Sequence, residues 1–184
     1  MRFSPTDIPG VLIVDIEPHE DDRGAFARLQ CPQEFAAAGQ PFAPVQTSLS
    51  RNPMVGTLRG MHYQPAPHGE TKLVRAVRGR MFDVAVDLRA GSPGRGKWFG
   101  LELSAENARG LFIPEGVAHG FLTLEPDTDV LYQITPAFQA GHEAGVRWDD
   151  PAFAINWPQA PALISQRDAT YPDHQGEGAR DAED

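Results

Sequence analysis

The sequence predicts an all-β fold, a sandwich or barrel of the jelly-roll kind with a few short helices. Three observations carry this. Glycine (18) and proline (17) are plentiful and spread along all 184 residues, the texture of short strands joined by turns. Apolar residues recur at every second position in several segments, most clearly at Phe82, Val84, Val86 and Leu88. Helix signals are confined to one short stretch.

Taken in order, Val11 to Ile16 reads as a first strand. Glu20-Asp21-Asp22-Arg23-Gly24 reads as a charged turn, and Phe26 to Cys31 as a second strand. Pro32 to Gly39 is the helix, with proline at its start, alanines within and glycine at its end. Val45 to Ser50 and Val55 to Gln64 are strands flanking the turn Arg51-Asn52-Pro53. The run from Phe82 carries Phe82, Val84, Val86 and Leu88 on one face and Asp83, Ala85, Asp87 and Arg89 on the other, the pattern of a half-buried strand. Gly91-Ser92-Pro93-Gly94 is a turn by composition. Trp98 to Ser104 alternates again, Leu111-Phe112-Ile113 runs into Pro114-Glu115-Gly116, and Asp129 to Thr135 is a further strand. Pro151 to Pro161, rich in aromatics and proline, is expected to wrap over a sheet. One domain over residues 1–172 follows, with a polar tail, 173–184, expected to be disordered.

Composition narrows the function classes. Hydrophobic content of 41% and charged content of 22% are ordinary for a soluble globular protein. The net charge of −9 argues against nonspecific nucleic-acid binding. Basic residues nevertheless crowd the middle: Arg51, Arg59, Lys72, Arg75, Arg78, Arg80, Arg89, Arg95 and Lys97, against Glu70, Asp83 and Asp87. That suggests a small anionic ligand held locally, or else a solvated strand face. The single cysteine, Cys31, rules out an intrachain disulfide and a cysteine-cluster metal site, and is expected to be a small buried hydrophobe. Val11-Leu12-Ile13-Val14 is too short for a signal core or a membrane span, so a cytoplasmic protein is the default expectation.

The stretch with most chemical content is Thr57-Leu58-Arg59-Gly60-Met61-His62-Tyr63-Gln64. Arginine grips phosphate or carboxylate in two-pronged fashion, and histidine transfers protons near neutral pH. Residues three apart on a regular strand point to opposite faces. Arg59 and His62 therefore share a pocket only if the strand kinks, and Gly60 is where a bulge is tolerated. On this octapeptide alone, a solvated arginine beside a hydrogen-bonded histidine is the simpler reading.

Further motifs change that balance. Asp22-Arg23-Gly24, Lys72-Leu73-Val74-Arg75, the run from Asp83 to Arg89, Ser92-Pro93, Pro114 to Phe121 and Tyr132 follow in order. Trp148-Asp149-Asp150-Pro151, Ile155-Asn156-Trp157-Pro158 and Ser165-Gln166-Arg167-Asp168 complete the set. From about Asp21 to Asp168 the chain resembles the dTDP-4-dehydrorhamnose 3,5-epimerase family. The resemblance implies a jelly-roll barrel of the cupin kind and a homodimer, binding a nucleotide-diphosphate sugar. It implies epimerisation of a nucleotide-linked 4-keto-6-deoxyhexose with no cofactor and no metal. By resemblance His62 is the base, Asp168 pairs with its imidazole, Lys72 neutralises the enolate oxygen and Tyr132 returns a proton from the other face of the ring. Arg59, Lys72, His119, Glu143 and Arg167 fall at substrate-contacting positions, and Arg23 where an arginine reaches in from the neighbouring subunit.

There are departures from the pattern. Phe138 stands where a tyrosine usually stacks on the base, and Gln46-Thr47-Ser48 replaces a motif that ends in asparagine. Arg28 stands where a glutamate commonly contacts thymine. A guanidinium suits the acceptor that cytosine presents at N3, so a CDP-linked substrate is one alternative, though an Arg28 turned to solvent or to a phosphate is the simpler reading; inversion at C3 alone is another alternative. Rivals from other classes are a metal-dependent cupin using His62, His119 and Glu70, a set that looks incomplete, and a sugar-nucleotide-binding protein without activity.

Overall fold

In the computed structural model, which describes residues 1–174, the alternating run around Phe82 is a strand buried on both faces. The polar face expected to meet solvent instead turns inward: Asp83, Ala85 and Asp87 are fully buried. A strand sandwiched between two apolar layers is a central strand, and the rest of the chain supplies both layers.

The first part of the chain forms β1 (Arg2–Pro5), β2 (Leu12–Asp15), β3 (His19–Asp21), β4 (Gly24–Phe26) and α1 (Pro32–Ala37). The barrel strands follow: β5 (Gln46–Asn52), β6 (Thr57–Tyr63), β7 (Thr71–Arg78), β8 (Arg80–Asp87) and β9 (Trp98–Ser104). Then come β10 (Gly110–Ile113), β11 (Val117–Thr123), β12 (Thr128–Thr135), the short β13 (Ala144–Gly145) and β14 (Leu163–Ile164), and α2 (Gln166–Ala169). One sheet runs β1-β2-β10-β7-β12-β5 and the other β13-β6-β11-β8-β9, an all-β jelly roll.

Between the sheets, Val74, Leu111, Ile113 and Val130 from the first meet Met81, Ala85, Leu103 and Phe121 from the second. The outer face of the second sheet is covered by the C-terminal segment, with Phe153, Ile155 and Trp157 against Val84 and Val86. This is the wrapping that the aromatic and proline content of Pro151 to Pro161 anticipates. Helix α1 closes the far side of the first sheet. Its Phe35 sits among Phe3, Phe42 and Phe112 with ring centroids 4.9–5.3 Å apart, the spacing of edge-on and tilted aromatic packing.

Three local expectations need correction. The strand expected from Phe26 to Cys31 ends at Phe26, because residues 27–31 pass beside buried Arg75 and give the Leu29 carbonyl to its Nη2 at 2.9 Å instead of to a strand partner. Cys31 occupies the N-cap position of α1 and is only half-buried, its thiol 3.0 Å from Gln33 Oε1. The ordered chain also continues past residue 172. Asp173 pairs with Arg147 at 2.6 Å, and the His174 amide donates to Asp150. The remainder of the expected tail, 175–184, lies outside the described residues. No described helix is long and apolar enough to cross a membrane.

Candidate active site

Arg59 and His62 do share a pocket, and a bulge makes it possible. Opposite β11, His62 pairs with His119 but Arg59 pairs with Phe121, so β6 carries one residue more than its partner across this step. The extra residue falls at Gly60-Met61. Gly60 has φ +126, and a Cβ there would lie 2.4 Å from the Gly120 Cα, so only glycine fits. Both side chains then line a cavity of about 290 Å³ at one end of the barrel.

His62 is oriented by a residue far along the chain. Strand β14 adds to β6 in parallel, with Ile164 beside Leu58, and this delivers α2 to the end of the cavity. Ser165 caps α2 by accepting from the Asp168 amide at 3.1 Å. The buried Asp168 carboxylate then takes the His62 Nε2–H at 2.8 Å and the Gly60 N–H at 3.2 Å. Burial alone would raise the Asp168 carboxyl, but these hydrogen bonds and the His62 charge outweigh it and hold it below the usual carboxylate range. An ionised carboxylate only accepts, so it fixes the proton on Nε2 and leaves the lone pair on Nδ1.

A second imidazole–carboxylate pair stands beside the first. His119 on β11 meets Asp83 on β8 at 2.7 Å, both buried, and burial pushes the Asp83 carboxyl upward against the opposing influence of His119 and Lys72. The facing sheet contributes Lys72 from β7 and Tyr132 from β12. Lys72 is buried, with its Nζ 2.7 Å from Glu70 Oε1. Tyr132 stands edge-on to His119 with ring centroids 5.8 Å apart. Burial, then the charges of Asp83 and Glu70, push the Tyr132 phenol well above its ordinary value, with Arg59 opposing, so it stays protonated and able to donate.

The remaining candidates divide into three groups. Arg59, Phe138, Glu143 and Arg167 line the cavity; Arg59 Nε donates to Asn52 Oδ1 at 2.8 Å and Arg167 Nε lies 3.5 Å from Asp168. Gln46 and Ser48 do not line it. They bond to each other at 3.3 Å, and Gln46 Oε1 takes the Phe138 amide at 3.0 Å, so they steady the Phe138 loop while Ser50 reaches the cavity. Arg23 and Arg28 stand away from this chain's own cavity. Arg23 pairs with Asp21, and Arg28 Nη1 lies 2.6 Å from Glu34 Oε1. Of the basic cluster in the middle of the sequence only Arg59 and Lys72 line the cavity. Arg75 instead ties three backbone carbonyls together inside the fold, and burial lowers its guanidinium to about 10.

Sequence reasoning missed Asp83 as a site residue and weighed Glu70 only as a metal ligand. Asp83 was hidden in an alternation that looked solvated, and Glu70 stood in a turn-like run. For Glu70 the available signal was its place two residues before Lys72. Among the described residues no three His, Cys, Asp or Glu side chains gather as a metal-binding group, and each imidazole is taken by its own carboxylate.

A jelly roll with a histidine–aspartate pair on one wall and an ammonium and a protonated phenol on the other defines an acid–base isomerase. Comparison with known proteins gives the family. A sequence model of dTDP-4-dehydrorhamnose 3,5-epimerase matches residues 5–175. The Pseudomonas aeruginosa dTDP-4-dehydrorhamnose 3,5-epimerase is 42% identical over 100% of this chain and 98% of its own. The Bacillus anthracis 3,5-epimerase, crystallised with TDP and PPi bound, superposes with TM-score 0.89 at 36% identity, covering 94% of this chain and 99% of its own. A Streptomyces niveus dTDP-4-dehydrorhamnose 3-epimerase is 38% identical over 91% of this chain and 81% of its own. This chain belongs to the dTDP-4-dehydrorhamnose 3,5-epimerase family.

Proposed function

We propose that the protein inverts C3 and C5 of dTDP-4-dehydro-6-deoxy-D-glucose, giving dTDP-4-dehydro-L-rhamnose. The observation that carries the reading is His62, steadied by buried Asp168 on one sheet, facing a cavity whose other sheet bears Tyr132 and Lys72. A proton next to the C4 ketone leaves to His62 Nδ1 as the C–H electron pair becomes the enolate double bond and the carbonyl π pair moves to oxygen. Asp168 stabilises the resulting imidazolium, and Lys72 donates to the enolate oxygen. Tyr132 then gives its phenolic proton to carbon from the opposite face, and solvent restores both groups. Inversion needs a base and an acid on two sides of one ring, and two facing sheets provide that separation. Relatives named for dTDP substrates support the thymidine nucleotide over the cytidine one. Arg59 and Arg167 meet the diphosphate, and Phe138, 40% exposed, offers its ring to the base. A nucleotide diphosphate does not cross a bilayer unaided, which fits a cytoplasmic enzyme.

The test is incubation with the 4-keto sugar nucleotide in deuterated water, followed by proton NMR. Solvent deuterium is expected at both C3 and C5. With Tyr132→Phe, inversion is expected to fall at least ~100-fold while His62-dependent exchange at C3 survives, because the base remains and only the opposite-face donor is gone. Label at C3 alone in the wild type would reduce the reading to a 3-epimerase.

The hairpin of β3 and β4 supports a homodimer. It pairs with neither main sheet, and Phe26 at its end is 78% exposed. Such an arm is suited to reach into a second copy and deliver Arg23 to the partner's cavity. Arg23→Ala and His62→Asn proteins, each weakly active alone, are expected to regain activity on mixed refolding. Random pairing leaves about a quarter of the cavities with both native residues. No gain over the separate proteins would confine Arg23 to its own chain.

A further inference from the structure

Glu70 has no part in the scheme above, yet it lies in the same cavity. Its side chain is 6% exposed, Oε1 holds Lys72 Nζ at 2.7 Å, and Oε2 is buried with no hydrogen-bond partner. Holding the ammonium requires only one of the two oxygens. An unmet buried carboxylate oxygen is costly, and a negative charge beside a developing enolate opposes it. Neither feature suits a site built only to stabilise an oxyanion.

Both features suit a ligand that brings a donor. Lys72 Nζ and Glu70 Oε2 together offer a donor and an acceptor side by side. An α-hydroxyketone offers the complement on neighbouring carbons: a carbonyl oxygen that accepts and a hydroxyl that donates. We propose that Glu70 is a specificity-determining residue, its Oε2 accepting a hydrogen bond from the hydroxyl next to the substrate's ketone while Lys72 holds the ketone oxygen. This rests on the epimerase reading given above and deepens it: the enzyme selects 4-keto sugars that carry a hydroxyl at C3. Charge-assisted hydrogen bonds of this kind also orient the ring, since ketone and hydroxyl are fixed together and the reacting carbon is presented to His62 in one pose.

The experiment compares exchange at C5 for two substrates, dTDP-4-keto-6-deoxyglucose and its analogue lacking the C3 hydroxyl. The position read is common to both. Wild type is expected to favour the hydroxylated substrate by roughly 10- to 100-fold in kcat/KM. Glu70→Gln keeps an oxygen for Lys72 and removes the charged acceptor. Whatever factor it loses on both substrates through Lys72, it is expected to lose about tenfold or more beyond that on the hydroxylated substrate, so that the preference for the hydroxyl shrinks. Glu70→Asp, which keeps the charge but shortens its reach, is expected to erode the same preference. Wild type using both substrates equally overturns the proposal whatever the variants do. So does a Glu70→Gln protein slowed by one common factor on both, which would make Glu70 a support for Lys72 only. Wild type exchanging neither substrate would instead overturn the epimerase reading itself.

Discussion

Replacing His62 by asparagine is expected to lower exchange of the substrate's α-protons by at least ~1000-fold, near the upper end of what general-base catalysis supplies. Asparagine fills a similar volume and can still donate to Asp168, but it has no nitrogen lone pair to take a proton. The loss is expected in kcat, with KM little changed, because Arg59 and Arg167, proposed above to meet the diphosphate, line the cavity untouched by the substitution. The fold should persist, since the His62 side chain is 29% exposed at the cavity edge. Stability should change mainly in its pH dependence. The Asp168 carboxyl is held below its ordinary value in the folded protein, so its contribution is present at neutral pH and is lost as pH falls through that lowered value. Without the imidazole the carboxyl rises back toward its ordinary range, and the contribution shrinks. Proton NMR in deuterated water and urea titrations at two pH values check both halves. Exchange within about tenfold of wild type would strip His62 of the role of base.

The largest effect on stability is expected at Gly60. A Cβ there would meet the Gly120 Cα at 2.4 Å and the His119 carbonyl oxygen at 2.8 Å, and φ is +126. Every one of these neighbours is backbone, so no side-chain rotation relieves the contact. Gly60→Ala is expected to cost about 4 kcal/mol or more, a large share of the total stability of a domain this size. The bulge would be forced open, and with it the Gly60 amide that holds Asp168. Activity should therefore vanish even in whatever fraction folds. The control is Gly91→Ala, where φ is +75 but no atom lies within 4 Å of the added carbon; it should cost only about 1 kcal/mol. Equal midpoints for the two variants in urea would contradict the close approach of β6 and β11.

Much of the fold was legible in one dimension because strand pairing has a period of two and turns have their own chemistry. Trp98–Ser104 emerges with the bounds its alternation suggests, and Pro32 to Gly39 yields a helix over Pro32–Ala37. The kink at Gly60 was legible too, since Arg59 and His62 could share a pocket only through one. Burial was not. Asp83 reads as solvated in any alternating pattern, and only the first sheet packed over its face makes it an interior carboxylate, while Phe153, Ile155 and Trp157 cover the opposite face over Val84 and Val86. The strand expected after Phe26 fails for a related reason, because the carbonyl of Leu29 answers to a guanidinium 46 residues away.

By itself the sequence determined the jelly roll and the residue types needed for proton transfer at a ketone. Tertiary structure alone decided which residues meet. His62 and Asp168 are 106 residues apart and come within 2.8 Å because β14 adds to β6, and Glu70 acquires an unmet oxygen because the barrel closes around it. Hydrogen bonds between distant segments and the loss of water from a carboxylate are properties of closure, and no local spacing encodes them.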